Sequence, residues 1–180
     1  MDDGRRSDGS RSPTVSVLVP DPDDLPAGAS PGTAGAAFGV ALTSAFLPGD
    51  RRVLVAEAAA GPHAVRCAVA ASDVLVVAIT AAFPGWRRAA TRLLDTAGPL
   101  AGRAAFGVVT GGWPNSAEQA PAWLETELRH RGGCCLAPAL HLAADGVAGL
   151  AAITAYCAHW RPLVPSLIGL ARREALPTAG

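Results

Sequence analysis

The strongest constraint on the fold is a regular alternation of short apolar runs with longer helical stretches. Five runs predict β-strands: Thr14–Val19, Arg52–Ala56, Asp73–Thr80, Arg103–Thr110 and Cys134–Leu142. The helical patterns that alternate with them are Thr33–Phe46 with Thr33 as its N-cap, Pro62–Ala71, Pro84–Ala97, Asn115–His130, and Val147–Arg173 broken near Pro162 and Pro165. Strict alternation with short connections predicts an α/β fold with a parallel sheet and right-handed crossovers.

The third run identifies the centre of the predicted sheet. Asp73–Thr80 is apolar on both of its faces, as in a parallel strand covered by helices on each side. Pro138 lacks an N–H and therefore favours an edge position for the last run. Five such strands predict the order 2-1-3-4-5 of a flavodoxin-like three-layer sandwich. We expect one domain over residues 14–174, a loose polar tail over 1–13 and a loose end over 175–180.

Charge and residue usage exclude several classes of function. All 15 basic residues are Arg, so a Schiff-base lysine, a P-loop lysine and a lysine-rich nucleic-acid face are excluded. The net charge of zero argues further against nucleic acid as a partner. The first residues lack the apolar core of a signal peptide, and no apolar run is long enough for a bilayer, so no membrane partner and a cytoplasmic location are predicted. The four cysteines form no CxxC pair and the histidines no HExxH motif, which predicts reduced thiols and no metal site.

The loop after the fourth strand is the best candidate for a ligand site. Thr110 is followed by Gly111, Gly112 and Trp113. Two glycines directly after a buried strand let the backbone approach a flat ligand and leave its N–H donors unobstructed. A tight turn that merely requires positive φ explains the pair equally well.

The loops after the third and first strands complete this edge of the sheet. Thr80 leads to Phe83 and Trp86, either of which could stack on a planar ring, although packing between helix and sheet suits Trp86 better. Ser30 and Thr33 stand at a helix N-terminus, where backbone amides and the helix dipole favour a phosphate. The acidic residues of the same loop, which are Asp21, Asp23 and Asp24, would repel one, and a plain N-cap is the simpler role for Thr33.

Three further groups of residues have both a functional and a structural interpretation. His141, near the end of strand five, could reach a ligand or serve as a partly buried structural histidine. Arg residues on the third helix, which are Arg87, Arg88 and Arg92, suit either the 2′-phosphate of a nicotinamide cofactor or a solvated helix face. An apolar group on the fourth helix suits a subunit interface, and a homo-oligomer is expected; the group consists of Trp123, Leu124 and Leu128.

From about Val65 to Gly146 the chain resembles the NADPH-dependent FMN reductase family. The resemblance lies in the succession AVRCAVAASDVLVVAIT, PGWRRAATRLLD, LAGRAAFGVVTGG and CLAPALHLAADG. In that family the Gly-Gly loop lies beside the flavin ring. Two other loops that contact flavin in that family differ in this chain. The loop after the first strand has no Arg and retains only Ser30-Pro31 and Thr33. The loop after the third strand is about three residues shorter than in the family and lacks a Tyr.

The resemblance implies a flavoprotein that passes hydride from NADPH or NADH to FMN and supplies a flavin-dependent monooxygenase. The implied cofactor residues are Ser30, Thr33, Thr80, Phe83, Thr110, Gly111, Gly112 and Trp113, with FMN weakly bound or lost. No catalytic side chain is predicted, because the cofactor carries the chemistry. Two alternatives stay open: a flavin-free relative acting in binding, assembly or a non-redox step, and a quinone or azo-compound reductase.

Overall fold

The sheet has the predicted number, direction and order of strands. The computed structural model describes residues 13–24, 31–46, 52–112, 119–142 and 146–174. Its sheet is parallel throughout, in the order β2-β1-β3-β4-β5. The strands are Thr14–Val19 (β1), Arg52–Glu57 (β2), Val74–Thr80 (β3), Ala104–Thr110 (β4) and Leu140–Leu142 (β5). The flavodoxin-like topology is therefore confirmed.

Six α-helices of the described residues cover the two faces of the sheet. They are Pro31–Phe46 (α1), Pro62–Ala71 (α2), Trp86–Ala97 (α3), Gln119–His130 (α4), Gly146–Trp160 (α5) and Val164–Glu174 (α6). Single 3₁₀ turns occupy Pro22–Asp24, Ala58–Ala60 and Arg161–Leu163. The turn at Arg161–Leu163 confirms the predicted break near Pro162. None of the helices described is long and apolar enough to cross a membrane.

Alternate residues of β3 show how the sheet divides the core. Leu75, Val77 and Ile79 pack with α2, α3 and α4 on one face. Val74, Val76 and Ala78 pack with α1, α5 and α6 on the other. All six side chains are buried, so β3 is the central, doubly covered strand that its sequence predicts.

Helix α1 lies very close to the sheet. A Cβ atom built on Gly39 would overlap Cγ1 of Val17 in β1. Only glycine therefore fits between this helix and the strand without a shift of Val17 or of the helix. The prediction that Thr33 caps α1 is wrong, because the helix begins two residues earlier, at Pro31. Proline is well suited to a first helical position, where its missing N–H has no intrahelical partner to lose.

The last strand is much shorter than predicted. The sequence favours a strand over Cys134–Leu142, but only Leu140–Leu142 forms a ladder with β4, and Cys134 makes an isolated bridge to Ala104. Side chains bind the backbone in between: Ala139 N–H donates to Glu125 Oε1 at 2.8 Å, and Tyr156 Oη donates to the Pro138 carbonyl at 2.7 Å. These bonds replace a ladder that Pro138 cannot join.

Some predictions fall on residues outside the described ranges. They are the tail over 1–12, the end over 175–180, the start of the fourth helix before Gln119, Ser30 and Trp113. The division into one domain with two loose ends stays a prediction.

Candidate functional site

The ends of β3 and β4 are joined by their two threonines. Thr80 and Thr110 are register partners, and their hydroxyl oxygens lie 2.8 Å apart. The Ala81 N–H donates to the Thr110 carbonyl at 2.9 Å, so the pairing with β4 extends one residue beyond the end of β3. The sequence places both threonines at this edge but gives no sign that they bind each other. Their hydroxyls are thus held in one place beside the glycines that follow.

The glycine turn after β4 is fixed from both sides. Gly111 has φ of +64° and Gly112 has φ of +153°. The Gly111 N–H donates to the Leu142 carbonyl of β5 at 3.0 Å. On the side of β3, a Cβ built on Gly111 would lie 3.3 Å from Cβ of Ala82. The positive φ and the close neighbour both favour glycine here.

His141 makes the second bond between β5 and this turn. Its Nε2 lies 2.9 Å from the carbonyl oxygen of Gly111. A carbonyl oxygen only accepts, so Nε2 must carry the hydrogen. The structural interpretation of His141 therefore holds, and the sequence gives no signal that its partner is the turn itself.

A shallow groove lies between the turn after β1 and the start of α3, with a volume of about 480 Å³. Its walls are Asp23, Asp24, Phe83, Pro84, Gly85, Arg88, Ala89 and Arg92. Phe83 is 8% exposed and packs mainly into the core. Trp86 is buried and meets Trp123 edge to face at 5.1 Å, so packing between helix and sheet is its role. Of these two rings, Phe83 is the one that lines the groove.

Opposite charges meet across this groove. Arg92 of α3 forms an ion pair with Asp24. The acidic turn is also organised internally, because the Asp21 carboxylate accepts the Asp23 N–H at 2.9 Å. Arg87 lies over the Trp86 ring at 5.3 Å and bonds Gln119 at 3.2 Å. The three predicted arginines therefore have different surroundings, and Arg92 offsets part of the negative charge of the turn.

Two other predicted groups do not belong to a surface site. Leu124 and Leu128 are fully buried against the sheet, so the prediction that they form a subunit interface is wrong.

The thiols of Cys134, Cys135 and Cys157 are buried as well. Burial raises the pKa of Cys135 and of Cys157 to about 11. Because a neutral thiol is a poor nucleophile, both should react slowly at neutral pH.

Thr80, Thr110, Gly111 and Gly112 are thus brought together at the carboxyl edge, and Phe83 lies on the adjoining groove wall. Thr33 lies in the first turn of α1. Among the residues that the structure describes, no group of three His, Cys, Asp or Glu side chains is placed to hold a metal ion.

Comparison with known proteins gives likeness in structure only. No family model matches the sequence, and no curated protein matches it. The apo form of an NADH:FMN oxidoreductase is similar with a TM-score of 0.59 and 16% identity, over 84% of this chain and 89% of that one. An oxidoreductase of Corynebacterium diphtheriae gives 0.60 and 19%, over 87% and 99%.

An NADPH-quinone reductase of P. pentosaceus is also similar, with a TM-score of 0.52 and 13% identity over 83% of this chain and 97% of that one. At such identities the likeness establishes the shared fold. This fold is the one that the strand order defines independently.

Proposed function

We propose that this protein is an NAD(P)H-dependent FMN reductase-like flavoprotein. The observation that supports it best is the turn at Gly111 and Gly112, which is held by hydrogen bonds from β5 and by contact with the loop after β3. Such a turn offers a rigid surface without side chains, which suits a flat ring. The similarity of the fold to that of an NADH:FMN oxidoreductase gives independent support.

The residues of the carboxyl edge suit the ring end of FMN. Gly111 and Gly112 would lie against the isoalloxazine, and the paired hydroxyls of Thr80 and Thr110 would fix the approach of its polar edge. Phe83 and Trp113 would border the ring. Bound flavin would accept hydride from NADH or NADPH, which is chemistry that no side chain of this chain needs to perform.

We expect the start of α1 to bind the phosphate end of FMN. A helix N-terminus favours an anion through its dipole and its free N–H groups. Ser30 and Thr33 would add hydroxyl donors. No Arg occurs between β1 and α1, and the missing charge-assisted bond lowers affinity by about 1.5–3 kcal/mol, or roughly ten- to a hundredfold. Weak binding suits a reductase that releases reduced FMN to a flavin-dependent monooxygenase.

The proposal is tested by adding FMN to the purified protein and following flavin fluorescence. The rate of NADPH and NADH oxidation is then measured with FMN as acceptor. We expect saturable quenching and a turnover that requires flavin. Flavin fluorescence that stays unchanged up to high micromolar protein would refute the reductase assignment.

A flavin-free role in binding or assembly is the second candidate. The presence of Asp23 and Asp24 on the groove wall favours it, because carboxylates repel a phosphate. A quinone reductase, the activity named for the P. pentosaceus protein, would share the cofactor. FMN binding without FMN turnover, together with turnover of a benzoquinone, would select this third alternative. The free cysteines suit the reducing cytoplasm in all three cases.

A further inference from the structure

A depression lies at the amino edge of the sheet, on the side away from the proposed flavin site. Its volume is about 330 Å³, and three parts of the chain line it: the end of α2, the turn before β4, and α6. The lining residues are Ala70, Ala71, Ser72, Asp73, Gly102, Arg103 and Arg172. Asp73 directly precedes β3, so the 7 residues of that strand, roughly 23 Å of extended chain, separate the depression from the carboxyl edge.

The Arg103 guanidinium is fixed by the backbone around it. Its Nε donates to the Val69 carbonyl at 3.1 Å, its Nη2 donates to the Ala70 carbonyl at 3.4 Å, and its Nη1 donates to the Ala101 carbonyl. These bonds use three of the five N–H groups of a guanidinium. Within the described part of the chain, one N–H on each terminal nitrogen is therefore left for a further acceptor. An arginine held in this way loses little side-chain entropy when it binds an anion.

Arg172 supplies the second guanidinium of the depression. Its Nη2 donates to Asp73 Oδ1 at 2.7 Å, and the other carboxylate oxygen, Oδ2, accepts the Thr14 N–H at 3.0 Å. The side chain of Arg172 is 57% exposed, and an ion pair so exposed contributes little to stability. The pair does orient the guanidinium, and it leaves most of the N–H donors of Arg172 to solvent or to a ligand.

The carbonyl groups at the end of α2 already have donors. A helix C-terminus normally repels an anion, because its last carbonyls and its dipole are negative there. Here the Ala68 carbonyl accepts the hydroxyl of Ser16 at 3.1 Å and that of Ser72 at 2.6 Å, and the next two carbonyls accept from Arg103. The charged side chains of the lining are two guanidiniums and one carboxylate, which sum to one positive charge.

We propose that this depression binds a small oxyanion, either a phosphate group or a carboxylate. Guanidinium groups bind both in charge-assisted hydrogen bonds, which are roughly twice as strong as bonds between neutral groups. The excess positive charge and the satisfied helix end favour an anion over a cation or a neutral ligand. A bound oxyanion would connect Arg103, which precedes β4, with Arg172 of α6. It would therefore strengthen the attachment of α6 to the sheet.

A structural role alone would explain each arginine separately, since Arg103 caps α2 and Arg172 pairs with Asp73. It does not require that both guanidiniums line one depression with a net positive charge. The two explanations differ in the effect of added phosphate, because a ligand that binds the folded state stabilises it. Chloride at equal ionic strength screens the same charges without connecting two guanidiniums.

The test is isothermal titration calorimetry of the full chain with inorganic phosphate, with the ionic strength held constant by sodium chloride. We expect saturable binding that Arg172→Gln weakens roughly ten- to a hundredfold, which is the effect of losing a charge-assisted bond. Arg103→Lys keeps the charge but removes the planar fork, so it should weaken binding as well. The matched control is Arg173→Gln, which removes the same charge from an exposed arginine of α6 outside the lining and should leave the affinity unchanged.

Thermal unfolding followed by circular dichroism identifies the variants that are folded, and one folded variant of the lining is sufficient. Phosphate should raise the melting temperature of the wild type and of Arg173→Gln more than that of Arg172→Gln. The same measurements with sodium acetate distinguish the sources: acetate binding that depends on Arg172 identifies a carboxylate as the ligand group, and binding of phosphate alone identifies a phosphate group.

The proposal is overturned if neither anion binds more strongly than chloride. It is also overturned if the wild type and the folded lining variants bind equally, or if Arg173→Gln loses as much affinity as Arg172→Gln. The expected phosphate site for FMN at the start of α1 lies at the opposite edge of the sheet, so substitutions at Arg172 should leave it intact. The oxyanion site and the reductase assignment can therefore fail independently.

Discussion

Replacing Gly111 by Ala tests the glycine turn most directly. The backbone at Gly111 has φ of +64°, which costs a residue with a side chain about 1–2 kcal/mol. The added Cβ would also lie 3.3 Å from Cβ of Ala82, so the loop after β3 must yield by a few tenths of an ångström. Together these effects should lower the free energy of unfolding by about 1–3 kcal/mol and the melting temperature by about 2–12 °C.

The matched control is Gly98→Ala, at the end of α3. Gly98 has φ of +75°, but a Cβ there would meet nothing within 4 Å. Both variants should therefore lose stability, and the loss at Gly98 should be at least as large as at Gly111, because its ψ of −153° places it in a region that essentially only glycine populates. Only Gly111→Ala should weaken FMN binding, since its methyl group intrudes on the proposed ring surface and shifts Ala82.

Differential scanning calorimetry measures the stability of both variants, and fluorescence titration measures their affinity for FMN. Undiminished stability of both variants would show that the positive φ is not costly here. Equal FMN affinities of Gly111→Ala and Gly98→Ala would separate the turn from the flavin site and refute the reasoning about this surface.

Four further predictions concern individual contacts and the cysteines. His141→Ala removes the bond to the Gly111 carbonyl, which should lower the free energy of unfolding by about 1 kcal/mol and weaken FMN binding. Calorimetry and fluorescence titration measure the two effects. An FMN affinity equal to that of the wild type would exclude a positioning role for His141. Gly107→Ala places a Cβ 2.9 Å from Leu124 Cδ2, which should lower the free energy of unfolding measured by chemical denaturation by about 1–3 kcal/mol. A melting temperature equal to that of the wild type would contradict this close packing. The three buried thiols should resist iodoacetamide in the native protein, while exposed Cys67 should react. Mass spectrometry should therefore find one modified cysteine. Rapid modification of all four cysteines would contradict the burial of the three. Folding raises the pKa of Cys135 and of Cys157 from 9.0 to about 11. Their contribution to stability is therefore complete below pH 9 and is lost as the pH rises through 11. Unfolding in denaturant at about pH 8 and at about pH 10.5 should show the lower free energy of unfolding at the higher pH.

The sheet could be predicted from sequence because its central strands are unambiguous. The apolar run of β3 is short and rich in β-branched residues, which favours a strand over a buried helix, and Pro20 and Gly111 mark the ends of β1 and β4. Alternation of strands with helices then restricts the topology to very few arrangements. The strand order follows from these local signals together with one general rule.

Errors arose where distant parts of the chain decide the local structure. The segment before β5 has the composition of a strand, but Glu125 of α4 and Tyr156 of α5 bind its backbone in place of a neighbouring strand. The helical pattern of α4 marks Leu124 as apolar without saying which surface it meets. Contacts such as those of His141 with Gly111 and of Asp24 with Arg92 join residues 30 and 68 positions apart, and no local pattern signals them.

The close approach of α1 to β1 limits how the protein can respond to a ligand. With no space for even a methyl group between Gly39 and Val17, the helix cannot slide along the strand without a steric clash. Any closure around a bound molecule would then have to leave α1 seated on β1. For entropy lost on binding, α1 and β1 would count as one rigid unit.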